Sequence, residues 1–386
     1  MASGTHNRDL QVLIVDDSAV YRKILKEVIG DIGGVQLMGT APNGRLALDK
    51  IKLQPPDVVL LDVEMPEMNG LETLTAIRNT APEISVIMVS GAGKNAADVT
   101  ITALEKGAVD FVTKPDESSM SLNHRNLVER LTPILMSVTT QVSVARVRKR
   151  HEQISERLSA GPRTPYGPST EPDPPTAPPT ARSPVEIALP GRIEIVVIGI
   201  STGGPNALGT MIPCLPKDIG VPVLIVQHMP PVFTNSLARS LNEKARLPVT
   251  EGTNDELIEP NHIYIAPGGY HMVIRRRKKD SRPALGLNSN PPENSCRPAV
   301  DVLFRSVATV FGGNVLSVIM TGMGQDGLNG VKTLKQRGAY SITQDEATCT
   351  IYGMPLAVFR AGLSDESLPL SGLAKRIAAI VKRVNQ

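Results

Sequence analysis

No apolar run in the 386 residues is long enough to cross a bilayer, and no charged-then-apolar leader opens the chain. The expectation is a cytoplasmic protein that is not membrane-inserted. Cysteine is scarce: Cys214, Cys296 and Cys349 are odd in number, far apart and without metal-ligand spacing, which suits a reducing compartment. Charge of either sign is in short excess, since 41 Lys and Arg against 38 Asp and Glu leave only +3. That is too little to argue for a nucleic-acid partner.

What the chain does have is one compositional break. Ten of its 32 prolines fall between Gly161 and Pro190, mixed with Ser, Thr and Ala, so this stretch neither pairs as strand nor coils as helix and reads as a semi-extended linker. The length allows two or three domains. The expected division is a module at 9–145, a helical extension and proline-rich linker at 146–190, and a second module at 191–386. The charges Arg146, Arg148, Lys149 and Arg150 fit a solvated helix leaving the first module better than a nucleic-acid stripe.

In the first module, apolar runs at Val12–Val15, Val58–Leu61, Val86–Val89 and Val109–Val112 alternate with helix-like patterns, which predicts a parallel sheet covered on both faces. Asp16 and Asp17 follow the first run, Asp62 ends the second, Ser90 the third and Lys114-Pro115 the fourth. Residues just past the carboxyl ends of parallel strands converge in one crevice. Three carboxylates gathered there need a cation to stay ionised, and oxygen-only ligands suit Mg²⁺.

These residues, with the segment Asp62-Val63-Glu64-Met65-Pro66-Glu67-Met68-Asn69-Gly70, resemble the receiver domain of two-component response regulators. The resemblance implies a flavodoxin-like fold and a phosphoryl group passed to Asp62 from a histidine kinase. It implies Mg²⁺ held by Asp17, Asp62 and the carbonyl of Glu64, with Asp16 supporting the metal through water. Ser90 and Lys114 would touch phosphoryl oxygens, and Phe111 would take the aromatic switch position.

The second module opens on Ile195-Val196-Val197-Ile198-Gly199-Ile200-Ser201-Thr202-Gly203-Gly204-Pro205, an apolar run that breaks into small residues and then a helical pattern. Ser201 at such a turn is either a nucleophile facing unpaired helix amides or simply a helix cap. A dinucleotide fingerprint is rejected, because Ser201 replaces its middle glycine. Gly-x-Ser-x-Gly does fit. The α/β-hydrolase order would then require Asp218, Asp255 or another carboxylate followed by His228, His262 or His271, and a different order stays open.

Further strand-like runs at Val221–Val226, His262–Ala266, Met272–Ile274, Val315–Met320 and Ala339–Ile342, with helical patterns between several of them, predict a second, largely parallel α/β sheet. His228 and Asp326 each fall just beyond one of these runs, as Ser201 does. Taken singly, a histidine beside prolines reads as structural, and an aspartate before glycine as a turn residue. The run Arg275–Lys279 reads as a solvated hairpin tip, with electrostatic attraction to glutamate-rich helices as the other reading.

The blocks Gly-Ile-Ser-Thr-Gly-Gly-Pro, Gln-His-Met-Pro, Tyr264-Ile265-Ala266-Pro267-Gly268-Gly269, Arg297-Pro298-x-Val300-Asp301, Thr-Gly-Met-Gly-x-Asp-Gly and Tyr352-Gly353-Met354-Pro355 together resemble the chemotaxis protein-glutamate methylesterases. The resemblance implies a receiver followed by a doubly wound, largely parallel α/β methylesterase domain. Its implied triad is Ser201 as nucleophile, His228 as general base and Asp326 as the partner of the imidazole, with backbone amides of Thr202 and Met323 at the oxyanion. Implied too are methylated chemoreceptors as substrate, hydrolysis of glutamate methyl esters with glutamine deamidation as a second activity, no cofactor for the ester chemistry, and a monomer.

Cys296 departs from the family, which often has His before this Arg-Pro. With an ordinary imidazole at His228, activity should fall below about pH 6.5. Two rival classes are a phosphorylation-controlled binding protein and a regulator with a DNA-binding output. The second would need a compact basic helix-turn-helix after the linker, where the sequence reads as a large α/β module.

Overall fold

The computed structural model describes residues 9–114, 123–140, 142 and 191–385. The expected helical extension and proline-rich linker at 146–190, and Pro115, lie outside them. No helix among the described residues is long and apolar enough to cross a membrane.

The first unit alternates strand and helix: β1 (Leu10–Val15), α1 (Ala19–Asp31), β2 (Val35–Ala41), α2 (Gly44–Leu53), β3 (Val58–Asp62), α3 (Gly70–Thr80), β4 (Ser85–Ser90), α4 (Lys94–Glu105) and β5 (Asp110–Thr113), with a helix α5 at 123–140. The strands lie in the order β2-β1-β3-β4-β5 and every pair is parallel. This is the flavodoxin-like order, whose switch point falls between β1 and β3.

Continuous apolar runs make sense here because both faces of the sheet are covered. Leu13, Val15, Val59 and Leu61 pack on one side, and Val12, Ile14 and Leu60 pack against α1 and α5 on the other. Side-chain caps from Ser18 and Asn43 start α1 and α2, and a capping box of Asn69 and Glu72 starts α3. Strand β2, absent from the run-based reading, is an edge strand whose residues are mostly half-exposed, so it carries no unbroken apolar signature.

The second unit contains β6 (Ile195–Ile200), α6 (Gly204–Met211), β7 (Val223–Gln227), α7 (Phe233–Lys244), β8 (Val249–Glu251), β9 (Ile263–Ile265), β10 (His271–Arg276), β11 (Pro283–Asn288), α8 (Val300–Phe311), β12 (Val315–Ile319), α9 (Leu328–Lys335), β13 (Tyr340–Gln344), α10 (Met354–Arg360), β14 (Glu366–Leu368) and α11 (Leu370–Asn385). Seven parallel strands run β14-β13-β12-β6-β7-β9-β8. From β6 the chain steps outward through β7, then returns to β12 on the other side, so the switch point lies between β6 and β12. Strands β10 and β11 form a separate antiparallel hairpin, and the basic run Arg275–Lys279 sits at its tip, partly matched by Asp255 and Asp280.

The two units touch. Helix α4 lies against α6 and α7, and Phe111 of β5 stacks on Phe233 with ring centroids 4.5 Å apart. Around this stack Arg239 pairs with Asp98 at 2.5 Å, Lys244 with Glu105 at 2.6 Å, and Asn206 donates to the Ala108 carbonyl at 3.2 Å.

Candidate functional site

The wholly buried β6 ends at Ile200, and the chain turns through Ser201, Thr202 and Gly203 into α6. Gly203 holds φ at 76°, and the Thr350 side chain fills the space a Cβ would need, so only glycine fits. Gln227, the last residue of β7, donates to the Ser201 carbonyl at 2.9 Å, and the His228 amide donates to the Ile200 carbonyl at 3.2 Å. On the other side, the Ser201 amide donates to the Thr321 carbonyl at 3.0 Å, and a Cβ on Gly322 would lie 2.8 Å from that of Ser201. Thus the loops after β7 and β12 both abut the Ser201 turn, as the switch-point topology requires.

His228 Nε2 and Asp326 Oδ2 are 2.8 Å apart. With the proton on Nε2, Nδ1 is left as an acceptor. Among the described residues no hydrogen bond joins the Ser201 hydroxyl to this ring, a looseness common in sites without substrate. The alternatives kept open by sequence are not built. His262 bonds Thr250 and stacks on Tyr264 at the opposite edge of the sheet, His271 bonds the Pro291 carbonyl, and Asp218 and Asp255 are exposed. The acid paired with His228 follows it in the chain.

Asp326 is 2 % exposed, yet its carboxylate accepts from five donors: His228, the Val300 amide (2.6 Å), the Asp301 amide (3.0 Å), the Gly327 amide (3.0 Å) and Asn294 Nδ2 (2.8 Å). Two of these amides open helix α8, whose dipole favours an anion. Burial resists the charge on Asp326, but His228 and the amides outweigh it and hold the carboxyl below its ordinary range. For His228, burial opposes protonation, while its hydrogen bonds to Asp326 and Cys296 raise the imidazole to about 10. This environment favours the imidazolium more than that of an ordinary imidazole. Cys296 lies against the ring that Asp326 orients.

Thr202 is half-buried; burial raises the Asp110 carboxyl of the first unit, and the Thr202 side chain acts to lower it; Met323 is 45 % exposed at the rim. Sequence reasoning missed Asn294, Gln227 and the Val300 and Asp301 amides. Gln227, Val300 and Asp301 lay inside blocks that carry the resemblance without being given a role there, and for Asn294 the available signal was Asn-Ser at 294–295, a pair suited to a tight turn.

In the first unit, an oxygen each from Asp16, Asp17 and Asp62 fall within 4.8 Å of one another. Lys114 Nζ lies 2.7 Å from Asp62 and 2.9 Å from Asp16, and 4.7 Å from the centre of the Tyr21 ring. Burial raises Asp62 to about 6 despite Lys114. Lys114 is itself disfavoured by burial but held above its usual value by the two carboxylates. Glu64 is exposed and lines a cavity with Asp17, Met65 and Asn69. Ser90, buried at the end of β4, turns its hydroxyl to Thr100 (2.7 Å) and α4. Phe111 faces the second unit.

A family model described as response regulator receiver domain matches residues 12–124, and one described as CheB methylesterase matches 196–377. A protein-glutamate methylesterase/protein-glutamine glutaminase of Desulfotalea psychrophila is 45 % identical over 375 residues, covering 97 % of this chain and 99 % of the relative. The chain belongs to the CheB methylesterase family.

A second relative so named, from Trichodesmium erythraeum, is 40 % identical across 95 % of this chain and 97 % of its own length. The chain also resembles the CheB methylesterase catalytic domain of Thermotoga maritima, at 38 % identity over 49 % of this chain and 99 % of that one, TM-score 0.48. As a family member it is a carboxylic ester hydrolase that carries a receiver domain. The receiver match covers the Asp16, Asp17 and Asp62 cluster, and the methylesterase match covers Ser201, His228 and Asp326.

Proposed function

We propose that the chain removes methyl groups from glutamate esters, and deamidates glutamine, on the cytoplasmic domains of methylated chemoreceptors, using Ser201, His228 and Asp326. The observation that carries this reading is the 2.8 Å His228–Asp326 pair beside the Ser201 turn. Ser201 Oγ attacks the γ-carbonyl carbon while Nδ1 of His228 takes its proton. The imidazolium, stabilised by Asp326, then gives that proton to the departing methoxide oxygen or amide nitrogen, which leaves as methanol or ammonia. Water, deprotonated by the same ring, releases the glutamate and restores Ser201. Amides of Thr202 and Met323 are the oxyanion donors in this scheme. The ester chemistry needs no cofactor.

The receiver at 9–145 is joined through 146–190 to the catalytic unit at 191–386. A histidine kinase is the phosphodonor and Asp62 the acceptor. The oxygen-only donor set gathered within 4.8 Å fits Mg²⁺, to be held by Asp17, Asp62 and the Glu64 carbonyl, with Asp16 supporting the metal through water; the ammonium of Lys114, now 2.7 Å from Asp62 and 2.9 Å from Asp16, supplies the countercharge there. When bound, Mg²⁺ neutralises charge on the transferred phosphoryl group. Lys114, together with Ser90 after rotation of its hydroxyl, contacts the phosphoryl oxygens, and Phe111 relays the change to the interface with α7. The protein is read as a cytoplasmic monomer that binds no nucleic acid.

Methanol release from methylated receptor membranes tests the reading. The wild-type chain should release it, faster with a phosphodonor, and Ser201→Ala should not. Turnover retained by Ser201→Ala would discard the nucleophile.

A further inference from the structure

Residues 293–296 form a two-residue turn. Glu293 and Cys296 exchange both backbone hydrogen bonds (3.1 and 2.9 Å), and Asn294 and Ser295 hold φ at 52° and 60°. Positive φ at both central positions is the type I′ geometry, in which Asn is strongly favoured at the first. Asn294 is exposed at this tip, but its amide reaches inward. Nδ2 donates to Asp326 Oδ1 at 2.8 Å and to Asp301 Oδ2 at 3.1 Å.

Asp301 is itself fully buried, and its other oxygen accepts from the Gly330 amide at 2.6 Å. Two buried carboxylates therefore sit side by side, and one NH₂ group spans them from the solvent side. Among the described residues, Asn329 is the other side-chain donor to Asp301, at a longer 3.4 Å.

We infer that Asn294 is a positioning residue for catalysis: its amide bridges Asp301 and Asp326, fixes the Asp326 carboxylate against His228, and shields the pair from water. The inference rests on the triad reading above. An amide suits the position chemically, because it brings two protons to two anions without adding charge. Left without it, Asp326 Oδ1 keeps only backbone donors; Arg305 of α8, paired with Glu293 of the turn at 2.7 Å, still attracts both carboxylates, but the net negative charge beside His228 grows. The carboxylate then holds the imidazolium more strongly, so the base is neutral only at higher pH. The turn also carries Cys296, which interacts with the same ring.

Two roles of Asn294 can be separated, because the turn needs a residue tolerant of positive φ whereas the bridge needs an NH₂. In the full chain, Asn294→Gly preserves the first and removes the second. Asn294→Asp keeps shape and turn tolerance but substitutes an acceptor for the donor. Methanol release is measured from pH 5 to 10, with thermal unfolding recorded for each variant. Asn294→Gly should lose roughly 10- to 100-fold in kcat with KM little changed, the loss of a hydrogen bond to a charged group.

The acid limb should move upward in Asn294→Gly and further in Asn294→Asp. A limb that fails to move upward in both variants overturns the inference, whatever happens to kcat, since a purely structural turn would leave it in place. Asp326→Asn is run alongside. If it stays fully active, the triad reading fails; if it is inactive while Asn294→Gly behaves as wild type, only the role of Asn294 fails.

Discussion

Phe111 lies stacked on Phe233 at 4.5 Å and 24°, so the strand that leads to Lys114 touches the helix that begins five residues after His228. A rearrangement at Asp62 that moves β5 would reach the residues next to the imidazole through one pair of rings. The flanking Arg239–Asp98 and Lys244–Glu105 pairs are partly exposed and contribute modestly. The ring stack is the larger element of this contact.

Removing it should raise basal turnover. An aromatic pair is worth about 0.5–1.5 kcal/mol beyond its buried area, so Phe111→Ala should increase the released population roughly three- to tenfold. Methanol release by the full chain without phosphodonor measures this, and an unchanged basal rate would show that the contact does not restrain the enzyme.

The pH profile follows from the sign of the His228 shift. Because Asp326 and Cys296 raise the imidazole against the opposing effect of burial, it stays protonated, and unable to accept the Ser201 proton, to higher pH than a free histidine. The acid limb of kcat/KM should therefore lie above 6.5 and activity should fall as pH drops through it. Asp326→Asn removes one raising partner, so its limb should move down, while kcat falls by about 10⁴-fold because the tautomer is no longer fixed. A wild-type limb at or below 6.5 would contradict the buried pairing.

Close packing at Ser201 gives a third test. A methyl group at Gly322 would meet Ser201 Cβ at 2.8 Å and Met354 Sδ at 2.5 Å. Displacing the serine by about 1 Å costs on the order of 10²-fold in rate. Gly322→Ala should lower kcat by about that factor while shifting Tm by only a few degrees, read from steady-state kinetics and calorimetry.

Metal removal should divide the two sites. Chelation with EDTA should abolish labelling of Asp62 by a phosphodonor and leave basal methanol release unchanged, because the carboxylate cluster and the Ser201 crevice belong to different sheets. Loss of basal turnover on chelation would place a metal in the ester chemistry.

Much of the layout could be read in advance, for a physical reason. Parallel strands buried on both faces are unbroken apolar runs, and such sheets gather their reactive groups at the carboxyl ends of the strands. Asp16, Asp62, Lys114, Ser201, His228 and Asp326 all fall at such strand ends, although for Ser201, His228 and Asp326 only the resemblance turned position into an expected role. Strands without that signature did not: β2 is a half-exposed edge, and β8 and β14 are three-residue strands at the edges of the second sheet. Asn294 carries no periodic signal, since its amide matters only once its turn is folded over the start of α8.

From the order of residues alone came two α/β units, the strand ends that bear the chemistry, and the resemblance that named it. Folding decided which groups meet: Asp326 rather than Asp218 or Asp255 beside His228, the Val300 and Asp301 amides beneath that carboxylate, and Phe111 on Phe233. Periodicity records which face of an element is buried, a local matter of one side chain against solvent. Which distant groups become neighbours, and how far burial and partners then move a proton, depends on contacts between residues far apart in the chain, such as Phe111 and Phe233, 122 positions apart, and these exist only in the folded chain.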